Sequence, residues 1–277
     1  KDKTKIEKVK SRSNTDLSKI EDDVKVIIKN VKEKGNCALI DYAKKFDNVE
    51  LLEQNLIVSE SEIIDAYEQI SEKEITSIKK ALVNIKKFAE QQMPKPFLTE
   101  IAPGIKNGVL IKPIDRVGCY IPGGNYPLPS TTLMTIVPAK VAGVKEIIVA
   151  TPPQKNGKAN PAIIVAADIA GANKIVVSGG AQAVAALAYG TTTVPKVNKI
   201  VGPGNVYVTA AKKLLYGQVG IDMLAGPSEV VIIASSDSNP KYIAADMLAQ
   251  AEHDVVACGL LFTDSIKLAN AVKKEIL

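Results

Sequence analysis

The chain has no tryptophan, one histidine (His253), two arginines (Arg12 and Arg116), three cysteines and only 4% aromatic residues in 277. Each scarcity narrows the function. Cys37, Cys119 and Cys258 are odd in number, far apart and outside any Cys-x-x-Cys spacing, which suits a reducing cytosol better than a disulfide framework. No uninterrupted apolar run reaches about 18 residues, so no transmembrane helix is expected. The Lys-rich start has no apolar core of a secretory signal. With two arginines, bidentate readout of bases or phosphates has few donors. The net charge of +5 is concentrated in residues 1–34, where 11 Lys/Arg stand against 7 Asp/Glu. That run reads as a solvated arm rather than a nucleic-acid site. A cytoplasmic protein with no nucleic-acid and no membrane partner is expected.

What the chain does have is small and β-branched. At 46% apolar residues, mostly Ala, Val and Ile, it can bury a sizeable core and is long enough for two domains. The first hundred residues read as scaffold. A helix beginning at Asp16 or Ser18 carries Ile20, Val24, Ile27, Ile28 and Val31 on one face and ends at Gly35. Leu56 to Val58 reads as a short strand. Ser59 with Glu62 and Ser71 with Glu74 are capping boxes that open two further helices. Ile101 to Ile114 reads as paired extended segments turning at Pro103-Gly104 and Asn107-Gly108. No chemistry is legible in this region.

From Arg116 the rhythm becomes strand, small-residue loop, helix, repeated. Strands are expected at 117–121, 146–150, 174–177, 199–201, 230–234 and 258–262, and helices at 130–142, 161–170, 181–189, 206–215 and 240–252. This alternation predicts a parallel doubly wound sheet. The stretch from Arg116 to Gly143 is its centre. No charge occurs from Val117 to Ala139, and a strand breaks at Pro122-Gly123-Gly124 before a helix that Ser130 would cap. Three more strands end in loops that admit close backbone approach: Thr151-Pro152-Pro153, Ser178-Gly179-Gly180 and Gly202-Pro203-Gly204-Asn205. In an open parallel sheet such loops share the edge where ligands bind, and helix starts there favour phosphate. Yet no G-x-G-x-x-G is present, and no acidic residue stands where a ribose ligand would be expected, so a dinucleotide would be held differently.

Individual side chains leave alternatives open. Gln182 and Asn205 flank two of the loops and could hydrogen-bond a ribose or amide, or simply cap helices. Gln250 and His253 lie three apart on one helix face, half of a zinc site, which needs three or four ligands. Beside Glu252 and Asp254, His253 also reads as a surface residue. Cys119 or Cys258 is either a catalytic thiol or a small buried hydrophobe.

Five runs, RVGCYIPGGNYPLPSTTLM, SGGAQAVAALAYGT, VPKVNKIVGPGNVYVTAAKK, IDMLAGPSEVVIIA and LAQAEHD, closely resemble histidinol dehydrogenase in order and spacing, and VKEKGNCALIDYAKKFD resembles its opening helices. The resemblance implies oxidation of L-histidinol to L-histidine through the aldehyde, in two NAD-dependent steps of histidine biosynthesis, by a homodimer with one zinc ion. Carried over by position, Tyr120, Gln182 and Asn205 would contact NAD. Ser228, Gln250 and His253 would bind substrate, and Gln250 and His253 also zinc. The implied fold is α/β, with two Rossmann-like parallel-sheet units and an N-terminal helical arm. The arm would cover 1–22 and the first unit's N-terminal part 23–113. A NAD-binding second unit would cover 114–225, and 226–277 would return to pair with strands of the first. The family's acid/base Glu-His pair and its remaining zinc ligands lie in segments beyond Leu277, so a truncated chain, inactive alone, is expected. The rival readings are a cysteine-dependent aldehyde dehydrogenase with Cys258 as nucleophile, and a non-catalytic nucleotide-binding fragment.

Overall fold

The computed structural model describes residues 17–123, 127–224, 229–253 and 257–277, the side chains of Ser18, Lys19 and His253 excepted. Asp16–Leu224 forms one compact unit, and Ala225–Leu277 belongs to a second.

The larger unit opens with helix α1 (Ser18–Lys34), whose buried stripe Val24, Ile27 and Val31 follows the helical period. Helix α2 (Asn36–Tyr42) runs into a π turn, Ala43–Asp47, that Asn48 closes in the left-handed region at φ 55°. Helices α3 (Glu60–Glu68) and α4 (Glu72–Gln92) both start on complete capping boxes, from Ser59/Glu62 and Ser71/Glu74, as the spacing predicts. An exposed antiparallel hairpin follows, β1 (Phe97–Ala102) and β2 (Ile105–Val109), turning at Pro103-Gly104. Asn107-Gly108 is no turn: Gly108 lies inside β2 opposite Leu98.

Strands β3 (Arg116–Tyr120), β4 (Glu146–Thr151), β5 (Lys174–Val177), β6 (Lys199–Val201) and β7 (Gly220–Ile221) make a parallel sheet in the order β5-β4-β3-β6-β7. Between them run helices α5 (Pro129–Val141), α6 (Pro161–Ala170), α7 (Gly180–Tyr189) and α8 (Val206–Leu215). The first strand is therefore central, and the order of addition reverses between β3 and β6, which opens a crevice at their carboxyl ends. Strands β3, β4 and β5 are buried on both faces after their first residue, as parallel strands covered by helices must be. Gly118 lets α7 descend onto β3, since a Cβ there would stand 2.9 Å from Leu187 Cδ1. One local expectation fails: α5 starts with Pro129 in its first turn and Leu128 at the cap, so Ser130 caps nothing. The fixed φ of proline already suits the first helical turn.

The boundary expected at 113/114 is absent. Helix α1 packs on α7 and α8, α3 on α6, and α4 on α5, while Val58 N–H donates to Ile175 O at 2.9 Å along the sheet's edge strand. Apolar stripes on these helices bury themselves on the sheet's own helices, which makes one core of what was expected to be two. In the second unit, β8 (Glu229–Ile233) pairs in parallel with β9 (Cys258–Phe262). Helices α9 (Pro240–His253) and α10 (Ile266–Ile276) pack on each other over Ile243, Ala244, Leu268 and Val272. Among the described residues, the strands of 226–277 pair with each other, and not with the N-terminal strands Phe97–Ala102 and Ile105–Val109, which pair as a hairpin.

Candidate functional site

Four loops leave the carboxyl ends of β3, β4, β5 and β6, and they interlock by missing side-chain volume. Pro152, after β4, fills the space where a Cβ would stand on Gly123 (2.4 Å) and on Gly179 (2.5 Å). Three loops thus meet on one proline ring. On the other side, Gly202 at φ 114° brings the β6 loop onto β3, where an added Cβ would lie 2.1 Å from the carbonyl oxygen of Tyr120. No residue with a side chain fits there without moving the loop off β3.

Tyr120 ends β3 and is buried at 3% exposure, and its phenol oxygen accepts a hydrogen bond from Gly180 N–H at 3.0 Å. Burial pushes that phenol up to about 12; the Gly180 bond opposes the rise and the charge of Asp47 adds to it. Tyr120 therefore stays protonated at neutral pH, keeping an O–H rather than serving as a base. Gln182, equally buried, stands in the first turn of α7, its Oε1 2.7 Å from where a Cβ of Gly180 would be. Tyr120 and Gln182 are thus joined through one residue. Asn205 is the N-cap of α8, with Oδ1 accepting from Tyr207 and Val208 N–H, both at 3.1 Å. Capping, its bland alternative, is real, and it leaves the amide NH₂ for other partners. These three residues follow the carboxyl ends of β3, β5 and β6, on one edge of the sheet.

The second group is less complete. Gln250 lies half-buried on α9, and His253 closes that helix, its side chain outside the described residues. Ser228 also lies outside them. Among the described residues no three His, Cys, Asp or Glu side chains gather where they could hold a metal ion. The described donors therefore do not make up a zinc shell, which needs three or four ligands.

The cysteines divide by environment. Cys119, in the middle of the sheet, has no exposure, and burial pushes its thiol up to about 12, so it is a core residue and not a nucleophile. Cys37 is exposed, and Cys258 is half-buried on β9. Arg116, one of the two arginines, works at the opposite edge: Nε pairs with Glu146 at 2.5 Å and NH1 donates to Lys196 O at 2.8 Å, bracing the amino ends of the strands.

Sequence reasoning missed four groups. Asp47, in the segment read as chemically silent, has a buried Oδ2 with no hydrogen-bond partner and a carboxyl raised by desolvation to about 6. Thr151, at the carboxyl end of β4, has an equally unpartnered Oγ1. Lys212 is buried and forms an ion pair with Asp222. A signal for Lys212 existed: it falls four residues after Val208 and three before Leu215, on the apolar stripe of α8.

Three comparisons bear on this arrangement. The sequence model of the family described as Histidinol dehydrogenase matches residues 10–277. A histidinol dehydrogenase of Streptococcus mutans is 50% identical over 276 residues, covering 98% of this chain and 64% of that protein. One from Methanococcus maripaludis is 51% identical over 269 residues, covering 96% and 62%. In structure, the chain matches crystalline histidinol dehydrogenase of Elizabethkingia anophelis with a TM-score of 0.88 at 40% identity, over 93% of this chain and 59% of that one. A succinate-semialdehyde dehydrogenase of Burkholderia pseudomallei shares the fold alone, at a TM-score of 0.50 and 15% identity. The chain spans a little under two thirds of the length of these histidinol dehydrogenases.

Proposed function

Because the chain belongs to the histidinol dehydrogenase family, we propose that its larger unit binds NAD for the oxidation of L-histidinol to L-histidine, in histidine biosynthesis. The observation that carries this reading is that Tyr120, Gln182 and Asn205 follow the carboxyl ends of β3, β5 and β6 on one sheet edge, with Gly180 N–H on the Tyr120 phenol at 3.0 Å. The interlocked glycines let the four loops pack on one another, which fixes the edge at which a ligand would sit. NAD, when bound, takes up hydride from the substrate carbon. The chain's own part is to bind and orient. Tyr120, kept neutral, donates from a dry position. The Gln182 amide, in the first turn of α7, and the Asn205 NH₂ offer hydrogen bonds to ribose or carboxamide. The dipoles of α7 and α8 place partial positive charge at this edge, which suits a pyrophosphate, while Gly180, Tyr207 and Val208 N–H are already bonded within the chain.

Ser228, Gln250 and His253 are proposed to bind the substrate, with Gln250 and His253 as this chain's contribution to zinc. Two donors are fewer than the three protein ligands a catalytic zinc keeps, so no step is assigned to the metal. Among the described residues no helix is long and apolar enough to cross a membrane. A cytoplasmic homodimer is part of the same proposal and rests on the family alone. The cysteine-dependent alternative rests on Cys258, which is half-buried on β9; the burial of Cys119 does not bear on it.

The test is calorimetric titration of NAD into the 277-residue chain. Saturable binding that Asn205→Ala weakens about tenfold is expected, since one buried hydrogen bond is worth roughly 1 kcal/mol or more. A chain that folds and takes up no NAD would sink the reading.

A further inference from the structure

Lys212 is the one lysine among the buried polar side chains described, at 2% exposure. Its ammonium returns beneath the loop that precedes its own helix, where Nζ donates to Gly202 O at 3.0 Å and pairs closely with Asp222 Oδ1. Asp222 follows β7 directly. Its Oδ2 accepts from Gly202 N–H at 2.8 Å, and Oδ1 also accepts from Met223 N–H at 2.7 Å. Both polar groups of one residue, Gly202, are therefore held by the two members of one ion pair. On its opposite side Gly202 abuts the carbonyl of Tyr120, with no room for a Cβ. At the far end of the same loop, Asn205 caps α8.

From this closed ring we infer that Lys212 and Asp222 are positioning residues, which fix the Gly202–Asn205 loop in the place and orientation a dinucleotide meets. The inference rests on the NAD reading given above. Its physical basis is what each alternative would leave unsatisfied. An ion pair whose ammonium is buried, while its carboxylate keeps 27% exposure, is a poor source of stability, because desolvation of the ammonium offsets much of the attraction, and apolar packing often serves as well. An apolar pair cannot, however, bond a backbone N–H and a backbone C=O at once. The ammonium and carboxylate can, and with charge-assisted bonds that fix direction. Gly202 departs from the sheet ladder at φ 114°, so no neighbouring strand supplies these bonds. The pair takes over from the ladder at the point where the loop begins. Through Gly202 it sets the distance between Tyr120 on β3 and Asn205 on α8, two of the three residues proposed to touch the ligand.

The experiment compares the 277-residue chain with Lys212→Met/Asp222→Leu, which fills the volume without bonding Gly202, and with Asp222→Asn, which keeps an acceptor but not the charge. Melting temperature, amide hydrogen exchange at Gly202, Gly204 and Asn205, and NAD dissociation constant are read for each. We expect exchange in the loop at least tenfold faster and NAD binding at least tenfold weaker in the double variant, with part of both restored in Asp222→Asn. Affinity should follow loop exchange rather than melting temperature. Should the double variant not fold, Asp222→Asn alone decides, with exchange and affinity each expected to move by about threefold. Loop exchange or NAD affinity unchanged in a folded variant would overturn the inference. A native chain that folds but binds no NAD would show itself before any variant is compared. It would overturn the reading of the edge and the inference with it.

Discussion

Gly202→Ala against Gly217→Ala isolates the close approach on which the sheet edge is built. Both glycines occupy positive φ, 114° and 99°, where an alanine is strained by about 1–2 kcal/mol. Around Gly217 nothing stands within 4 Å of an added Cβ, whereas at Gly202 the Tyr120 carbonyl oxygen is 2.1 Å away and two further backbone atoms follow at 3.1 and 3.2 Å. Those atoms belong to a central strand bonded on both sides, so the loop must move instead. Overpacking of this kind costs about 1–3 kcal/mol beyond the φ penalty. Gly217→Ala should therefore cost roughly 1 kcal/mol and Gly202→Ala roughly 3. With about 2–4 °C of melting temperature per kcal/mol for a unit of this size, the first should melt a few degrees below the native chain. The second should fall roughly 6 °C or more. Scanning calorimetry, or circular dichroism followed with temperature, reads both. If the two variants melt together, the approach of Gly202 to Tyr120 is not tight, and the argument that this loop is fixed to β3 fails.

Other consequences are separable. Asn205→Asp keeps an acceptor for the Tyr207 and Val208 N–H groups but loses the amide donor, so it should melt near the native chain in thermal scans and bind NAD at least several-fold more weakly by calorimetry. Asn205→Ala should also lose about 1 kcal/mol of cap. For Asp47, the folded carboxyl titrates near 6, above its ordinary 3.8, so the folded state holds more protons between those values. Stability should then fall as pH rises from about 4 to about 6 and level off above. In Asp47→Asn that part of the slope should vanish from a melting-temperature series across pH. An alkylating reagent applied to the native chain should label exposed Cys37 and leave Cys119 untouched until the protein is unfolded, as peptide mass mapping would show.

The legible part of this molecule was the part where one residue's type implies its neighbour's position. Strands Lys174–Val177, Lys199–Val201 and Cys258–Phe262 and helices Pro161–Ala170 and Val206–Leu215 fall where periodicity puts them. Unbroken β-branched runs and capped apolar stripes are local signals. The convergence of four loops on one edge was legible too, because a parallel sheet sends every carboxyl end the same way. Strand order was not. Neither was the two-residue strand Gly220–Ile221, whose only sign is a backbone ladder to Lys199 and Ile200. The division into units was misjudged for a related reason. The buried faces of α1, α3 and α4 announce a partner without naming it, and the sheet's own helices proved to be that partner.

The candidate site divides along the same line. Tyr120, Gln182 and Asn205 sit at strand ends and helix starts, where motif and topology agree, so the chain itself points to them. Lys212, Asp222 and Asp47 act across 10 to 20 residues or more of sequence and carry no motif of their own. Lys212 reaches Gly202 only because α8 folds back beneath its own leading loop. Asp47 comes within the field of Tyr120 only because α1 and α2 are built onto the sheet. Charges in this structure that lack a surface role are thus spent on tertiary geometry, holding a nearly uncharged edge in shape. In the NAD reading proposed above, the uncharged stretch from Val117 to Ala139 would leave the ligand to be met by neutral donors and helix ends. Such donors act only when their directions are right, which is why the ion pair under Gly202 matters more for orientation than for the stability of the fold.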